Sequence, residues 1–236
     1  MIHPNTTDIK HYFIDALANE EFTTDRTGQK TIEMIGASFM ADKPTIFGTP
    51  NDEYIEIEKA WYESQSTNVN WMSDTYNRNV PAAWKAAANT YGEINSNYGH
   101  IIYSDKYHHQ FGRVLDELLT NIDGRRATMI YTRPSIWEEY NEDGKNDFIC
   151  TNAVTYYIRD AKIHCVVQMR SNDVVFGYKN DYAWQLHVLE QLTREYNSCY
   201  LANAADADYR REMEVGDIIW QVQNLHVYER HFDLVK

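Results

Sequence analysis

Proline and glycine are scarce in this chain of 236 residues, at five and ten respectively. No Pro-rich linker, low-complexity segment or internal repeat divides it, so a single domain over residues 1–236 is expected. Cysteine is scarcer still. Cys150, Cys165 and Cys199 make an odd count without a Cys-x-x-Cys pair, which argues against a disulfide framework or a zinc site and for a reducing compartment. No metal is expected. No apolar run approaches the ~18 residues of a spanning helix. Met1-Ile2-His3-Pro4-Asn5 lacks the basic flank and apolar stretch of a secretory signal. A cytoplasmic protein with no membrane association is expected. Basic charge is in deficit as well, 22 Lys and Arg against 35 Asp and Glu for a net −13, and such a surface repels polyanions, so general nucleic-acid binding is disfavoured. Aromatic residues are abundant, 14% of the chain with 18 Tyr and 6 Trp. They fit either a large core with planar walls or packing alone.

Hydrophobic spacing predicts several elements. Ile9, Tyr12, Phe13, Ala16 and Leu17 fall at helical intervals over residues 8–20, with Thr7 or Asp8 as the cap. Residues 31–40 read as extended, and Asn51 can cap a helix through about Ser64. Phe111, Val114, Leu115, Leu118 and Leu119 share one face of a helix over 110–120. Residues 127–133, 151–158 and 162–169 read as strands, the last two joined through Arg159-Asp160-Ala161 as a hairpin. Asp181 is expected to open a helix running to about Tyr196, and a final strand pair is expected within 217–234. Strands and long helices without strict alternation predict an α+β fold, helices packed on a mainly antiparallel or mixed sheet.

Some residues break the local pattern. Glu58 stands three residues from both Ile55 and Trp61, on what should be an apolar stripe. It reads either as a rim charge reaching for water or as a buried acid with a raised pKa, suited to moving protons or holding water. Cys150 begins a strand; it is either a small buried hydrophobe or, given a nearby cation or dipole, a nucleophile. Cys165, inside an apolar run, and Cys199, at a helix exit, read as structural. Arg26 lies in a turn-like segment, Arg125-Arg126 precede a strand, and Arg170-Ser171 follow one. Their guanidinium forks suit phosphate oxygens, though each alone equally suits a surface ion pair.

Several ordered blocks go further than any one residue. They are Asp25-Arg26-Thr27-Gly28, Lys30-Thr31-Ile32-Glu33-Met34-Ile35-Gly36-Ala37-Ser38-Phe39, Gly92-Glu93-Ile94-Asn95-Ser96-Asn97-Tyr98-Gly99 and Gly124-Arg125-Arg126. They continue with Asp147-Phe148-Ile149-Cys150-Thr151-Asn152, Arg170-Ser171-Asn172-Asp173-Val174-Val175-Phe176-Gly177, Asn180-Asp181-Tyr182-Ala183-Trp184 and His226-Val227-Tyr228. From about Asp25 to Phe232 the chain resembles the thymidylate synthase family, and within it the bacteriophage branch that acts on deoxycytidylate. Thr151, where many synthases carry His, agrees with that branch.

The resemblance implies a homodimer with shared active sites, using dCMP as substrate and 5,10-methylenetetrahydrofolate as co-substrate. It implies that Cys150 attacks C6 of the pyrimidine, with Arg170 favouring the thiolate. The 5′-phosphate would be held by Arg26, Arg170 and Ser171 of one subunit and by Arg125 and Arg126 of the other. His226 and Tyr228 match residues that bind the deoxyribose hydroxyl, and Glu58 an acid that organises water and proton transfers. Tyr98 matches a tyrosine implicated in removing the C5 proton, and Asp173 an aspartate that contacts the pterin. Asp181 stands where synthases that act on dUMP carry asparagine; a carboxyl sharing a proton with N3 and accepting from the amine fits cytosine. Its position also suits a helix N-cap. A dUMP-directed synthase or hydroxymethylase, or a nucleotide-binding module without turnover, are the alternatives.

Overall fold

The computed structural model describes residues 4–26, 28–203 and 212–236. Thr27 of the turn above and Met1–His3 lie outside the described residues. Helix α1 spans Thr6–Ala18. Its cap is Asn5 rather than Thr7 or Asp8. The Asn5 side chain accepts from the N–H groups of Thr7 and Asp8, and the Asp8 carboxylate accepts from the Asn5 N–H, completing a capping box.

Six strands form one sheet among the described residues: β1 (Thr23–Thr24), β2 (Lys30–Met40), β3 (Thr128–Ile130), β4 (Thr151–Arg159), β5 (Lys162–Asp173) and β6 (Glu214–Tyr228). Their order is β1-β2-β6-β5-β4-β3. Every neighbouring pair is antiparallel except β5 and β6, which are parallel. A parallel pair needs a crossover, and its main element is the long helix α8, Gly177–Asn203. The α+β expectation of helices on a mixed sheet therefore holds. The hairpin between β4 and β5 also holds, with Asp160 and Ala161 both at positive φ in a two-residue turn.

Other expectations are corrected. The strand expected over 127–133 shortens to β3, because an edge strand has a partner on one side only, here β4. The strand pair expected within 217–234 is one strand, β6, followed by a 3₁₀ helix over Glu229–Leu234. Both edges of β6 are taken by β2 and β5, which are distant in the chain, so β6 has no need of a hairpin partner. Helix α8 begins at Gly177, four residues before Asp181, and continues past Tyr196, so Cys199 lies within it.

The sheet has a dry face and a polar face. Phe39, Trp220, Val167 and Val154 share one cross-strand row and are fully buried. The adjacent row carries Ser38, Gln221 and Gln168. Trp184, Val188, Leu189 and Leu192 of α8 belong to the buried core on the dry side. The remaining helices are α2 (Asp52–Glu63, capped by Asn51 as expected), α3 (Trp71–Tyr76), α4 (Ala82–Ala87), α5 (Tyr98–Tyr103), α6 (Gln110–Thr120, as expected) and α7 (Ile136–Glu139). No helix among the described residues is long and apolar enough to cross a membrane.

Helices α2 and α5 touch backbone to backbone at Gly99, where a Cβ would lie 1.8 Å from the Tyr62 carbonyl oxygen. Backbone cannot yield as a side-chain tip can. Gly99→Ala is therefore expected to destabilise the protein by about 3 kcal/mol, measured as a lower denaturant midpoint with an unchanged slope. An unaltered midpoint would show that the two helices separate freely.

Candidate active site

A cavity of about 810 Å³ opens between α2, α4, α5, the start of β4 and the start of α8. Glu58, Tyr98, Cys150, Asp173, Asp181 and Tyr228 all line it. Residues spread over most of the chain thus converge on one wall system.

Glu58 is only 6% exposed, which settles its reading as a buried acid rather than a rim charge. Its oxygen Oε1 accepts from the Tyr54 hydroxyl, one turn earlier on α2, and from Trp84 Nε1 of α4 at 2.9 Å. Burial pushes its pKa up, against the pull of these two donors.

Cys150 immediately precedes β4. Arg170 Nη2 lies 3.4 Å from its Sγ and also donates to the Phe148 carbonyl, while Nε donates to the Ile149 carbonyl at 3.0 Å. The arginine therefore both fastens the segment before the cysteine and supplies positive charge. Burial nevertheless pushes the thiol up to about 11, with Arg170 opposing and the acids Asp181 and Asp147 adding to the rise. The adjacent cation alone does not leave a thiolate at neutral pH.

Asp147 links the two catalytic-looking walls. Its carboxylate accepts from the backbone N–H groups of Asn95 and Ser96 and from the Ser96 hydroxyl, so the approach to α5 is tied to the approach to Cys150. Asn97 caps α5 by accepting from the His100 N–H, and its amide donates to the carbonyls of Trp61 and Ser66. Tyr98 is thereby set against Tyr62, with ring centroids 5.3 Å apart. Burial raises its pKa well above the usual phenol range, and negative charge on Asp181 and Cys150 adds to that.

Asp181 does not cap α8. It faces the cavity from the second turn, and Asp173 does the capping work: its Oδ1 accepts from the N–H groups of Val175, Phe176 and Gly177. Asn172 Nδ2 donates to Asp181 Oδ2 at 2.7 Å. Burial, then the nearby Glu58 charge, pushes the Asp181 carboxyl up to about 8, Asn172 opposing and Asp173 adding to the rise. The surroundings thus favour the protonated carboxyl.

Other expected residues lie off this wall. Arg26 sits in the exposed turn closed by Asp25 and Gly28, the latter at φ +83°. Ser171 lies on β5, and His226 lies on β6 in register with the cavity-lining Asp173, its ring 4.8 Å from Tyr228. Arg125 and Arg126 are exposed, and Arg126 forms a two-pronged pair with Glu117 of the same chain. Conversely, Tyr54, Trp84, Lys179, Arg230 and His231 line the cavity without having been marked in the sequence. Tyr54 was detectable, four residues before Glu58 on the same helix face; the others arrive on separate elements. No group of His, Cys, Asp and Glu suited to a metal ion occurs among the described residues.

The family model described as thymidylate synthase matches residues 10–236. The chain belongs to the thymidylate synthase family. Among relatives in that family, it is 51% identical over 220 residues to the deoxycytidylate 5-hydroxymethyltransferase of Enterobacteria phage T4, covering 93% of this chain and 85% of that one. The enzyme of the same name from Enterobacteria phage T2 matches equally. A thymidylate synthase from Francisella philomiragia is 25% identical over 229 residues, 89% of this chain and 76% of that one. The crystal structure of thymidylate synthase from T4 phage superposes with a TM-score of 0.72 at 19% identity, covering 95% of this chain and 77% of that one. The thymidylate synthase fold is thus shared even where the sequence has diverged.

Proposed function

We propose that this chain is a deoxycytidylate 5-hydroxymethyltransferase, acting as one catalytic domain over residues 1–236 in the cytoplasm, that of the host cell if it is phage-encoded. It converts dCMP, 5,10-methylenetetrahydrofolate and water to 5-hydroxymethyl-dCMP and tetrahydrofolate. The observation that carries this reading is Asp181 facing the same cavity as Cys150 and Glu58, where burial pushes its carboxyl up to about 8. The names of the phage relatives point the same way.

Cytosine presents an acceptor at N3 and a donor amine at C4. A carboxyl that shares its proton with N3 and accepts from the amine meets both, and a proton on N3 draws electrons from C6. Cys150 gives up its thiol proton to solvent as Sγ bonds to C6, the 5,6 π pair passes to C5 and makes it nucleophilic, and the S–C6 bond breaks when the 5,6 double bond re-forms. Removal of the C5 proton is assigned to Tyr98, which lines the cavity. Glu58 Oε1 is occupied by Tyr54 and Trp84, leaving Oε2 to hold water and move protons. The folate supplies the one-carbon unit. The residues present fit it: Asp173 Oδ2 is buried without a hydrogen-bond partner among the described residues, as an acceptor for pterin N–H donors requires, and Phe176 offers a half-exposed ring.

The phosphate falls to Arg26, Arg170 and Ser171, with Arg125 and Arg126 reaching across from a second copy, and His226 and Tyr228 take the sugar hydroxyl. The solvent-facing sheet row of Ser38, Gln168 and Gln221, beside the exposed Ile35, is the surface for that homodimer. Arg126→Ala is expected to raise the KM for nucleotide about tenfold, as one charged hydrogen bond is lost. Mixed with an inactive Cys150→Ser protein it should regain activity, because one site of each heterodimer is then intact. No recovery, with subunit exchange confirmed by mass, removes the shared site.

Mass analysis of the products formed from dCMP and from dUMP with methylenetetrahydrofolate tests the function. 5-Hydroxymethyl-dCMP is the expected product. A methylated product, or preference for dUMP, overturns the reading.

A further inference from the structure

The hydrogen bond to Asp181 belongs to a longer chain of contacts. Asn172, on β5, is buried, and its Oδ1 accepts from Trp220 Nε1 of β6 at 3.3 Å. An indole N–H can only donate, so the Asn172 amide must turn its oxygen to Trp220 and its NH₂ to Asp181. Space for this contact exists because residue 177 is glycine. A Cβ there would lie 3.1 Å from Asn172 Nδ2 and 3.9 Å from Asp181 Oδ2.

We propose that Asn172, its amide oriented by Trp220, is a positioning residue for base choice: its donation to Oδ2 favours the Asp181 carboxylate left when the proton passes to cytosine N3. The inference rests on the hydroxymethyltransferase reading above. Because an N–H points at Oδ2, the carboxyl proton is confined to Oδ1. Once that proton is on N3, the ring offers two donors, N3–H and the amine, to two carboxylate oxygens. Uracil offers one donor and one acceptor, and a carboxylate cannot satisfy the acceptor O4. A neutral carboxyl can, by donating to O4. Any contact that favours the ionised form therefore disfavours uracil, and Asn172 makes such a contact.

The other groups around Asp181 push in the opposite direction or are neutral. Glu58 of α2 and Asp173 at the end of β5 raise its pKa, and its charge is felt by Tyr54 and Tyr62 of α2, Tyr98 of α5 and Cys150. Asn172 is the donor that opposes this acidic surround.

The test uses Asn172→Leu, which removes the donor, and Trp220→Phe, which keeps the ring but frees the amide to turn. The ratio of kcat/KM for dCMP over dUMP is expected to fall about tenfold or more in Asn172→Leu, the worth of a hydrogen bond to a charged group, and less far in Trp220→Phe. The alkaline limb of the dCMP pH profile should move to higher pH in both, because Asp181 then holds its proton more tightly. A purely structural role lowers both nucleotides together and leaves that limb in place; this result in a folded variant overturns the inference. Should Asn172→Leu not fold, the ratio and limb of Trp220→Phe decide. Wild-type protein without dCMP turnover removes the proposed function and this inference with it, whereas an active wild type with an unmoved ratio removes only the inference.

Discussion

Cys150→Ser is expected to leave a folded protein whose turnover of dCMP is lower by on the order of 10⁴-fold or more, as when other enzymes lose their nucleophile. An alcohol at this position ionises far less readily than the thiol, and burial already holds even the thiol up to about 11. The bond to C6 would therefore form only rarely. Structurally the change is small, because the residue is half-buried and packs at the edge of the core. Release of tritium from dCMP labelled at C5 reads the step directly, since no C5 proton can leave until C6 is attacked. Near-normal release from a folded Cys150→Ser protein would end the covalent mechanism. Cys165→Ser is the contrasting control. That thiol is fully buried in the core, so the hydroxyl is expected to lower stability by about 1–3 kcal/mol while the folded fraction keeps its chemistry.

Asp181→Asn is expected to shift the ratio of kcat/KM for dCMP over dUMP toward dUMP by on the order of 10⁴-fold, the scale on which mismatched buried polar groups discriminate. An amide donates to O4 and accepts from N3–H, and it has no proton to share with cytosine N3. Phosphate and sugar contacts are common to both nucleotides, so the effect should fall on the ratio. The pH dependence changes with it. In the proposed mechanism the protonated carboxyl is the active form, and burial pushes its pKa up to about 8, so kcat/KM for dCMP is expected to be present below that value and to be lost as pH rises through it. The asparagine variant lacks this alkaline limb. An unchanged ratio, with folding intact, would leave Asp181 without a part in base choice. Glu58 should remain necessary with either base, because its proposed role concerns water and protons.

Much of this protein was readable in its order of residues. Helices α2 and α6 follow from local terms: Asn51 accepts the Tyr54 N–H, and Phe111, Val114, Leu115 and Leu118 fall on one buried stripe. The β4–β5 hairpin is equally local, since its register depends on a two-residue turn. Cys150, Arg170 and Asp181 were also singled out there, through the ordered blocks that resemble the thymidylate synthase family, and the structure sets Arg170 beside Cys150 and both Cys150 and Asp181 on one cavity. Non-local pairing was not legible. Whether β6 pairs within 217–234 or inserts between β2 and β5 depends on strands far away in the chain, and alternation of side chains looks the same in both cases. The role of Asp181 was open for a related reason. A carboxyl near a helix start suits a cap, and only the contact of Asp173 with three backbone N–H groups transfers the cap to that residue and releases Asp181 to the cavity. Electrostatics lay furthest from the sequence. Glu58 is a buried acid because Tyr54 and Trp84 close over it, and the Cys150 thiol stays high despite Arg170 because burial raises it and the charges of Asp181 and Asp147 add to the rise. Residue type determined which groups could carry charge; the packing of β4, β5, α2 and α8 around one cavity decided which of them do, since desolvation and charge–charge distance exist only once the chain has folded.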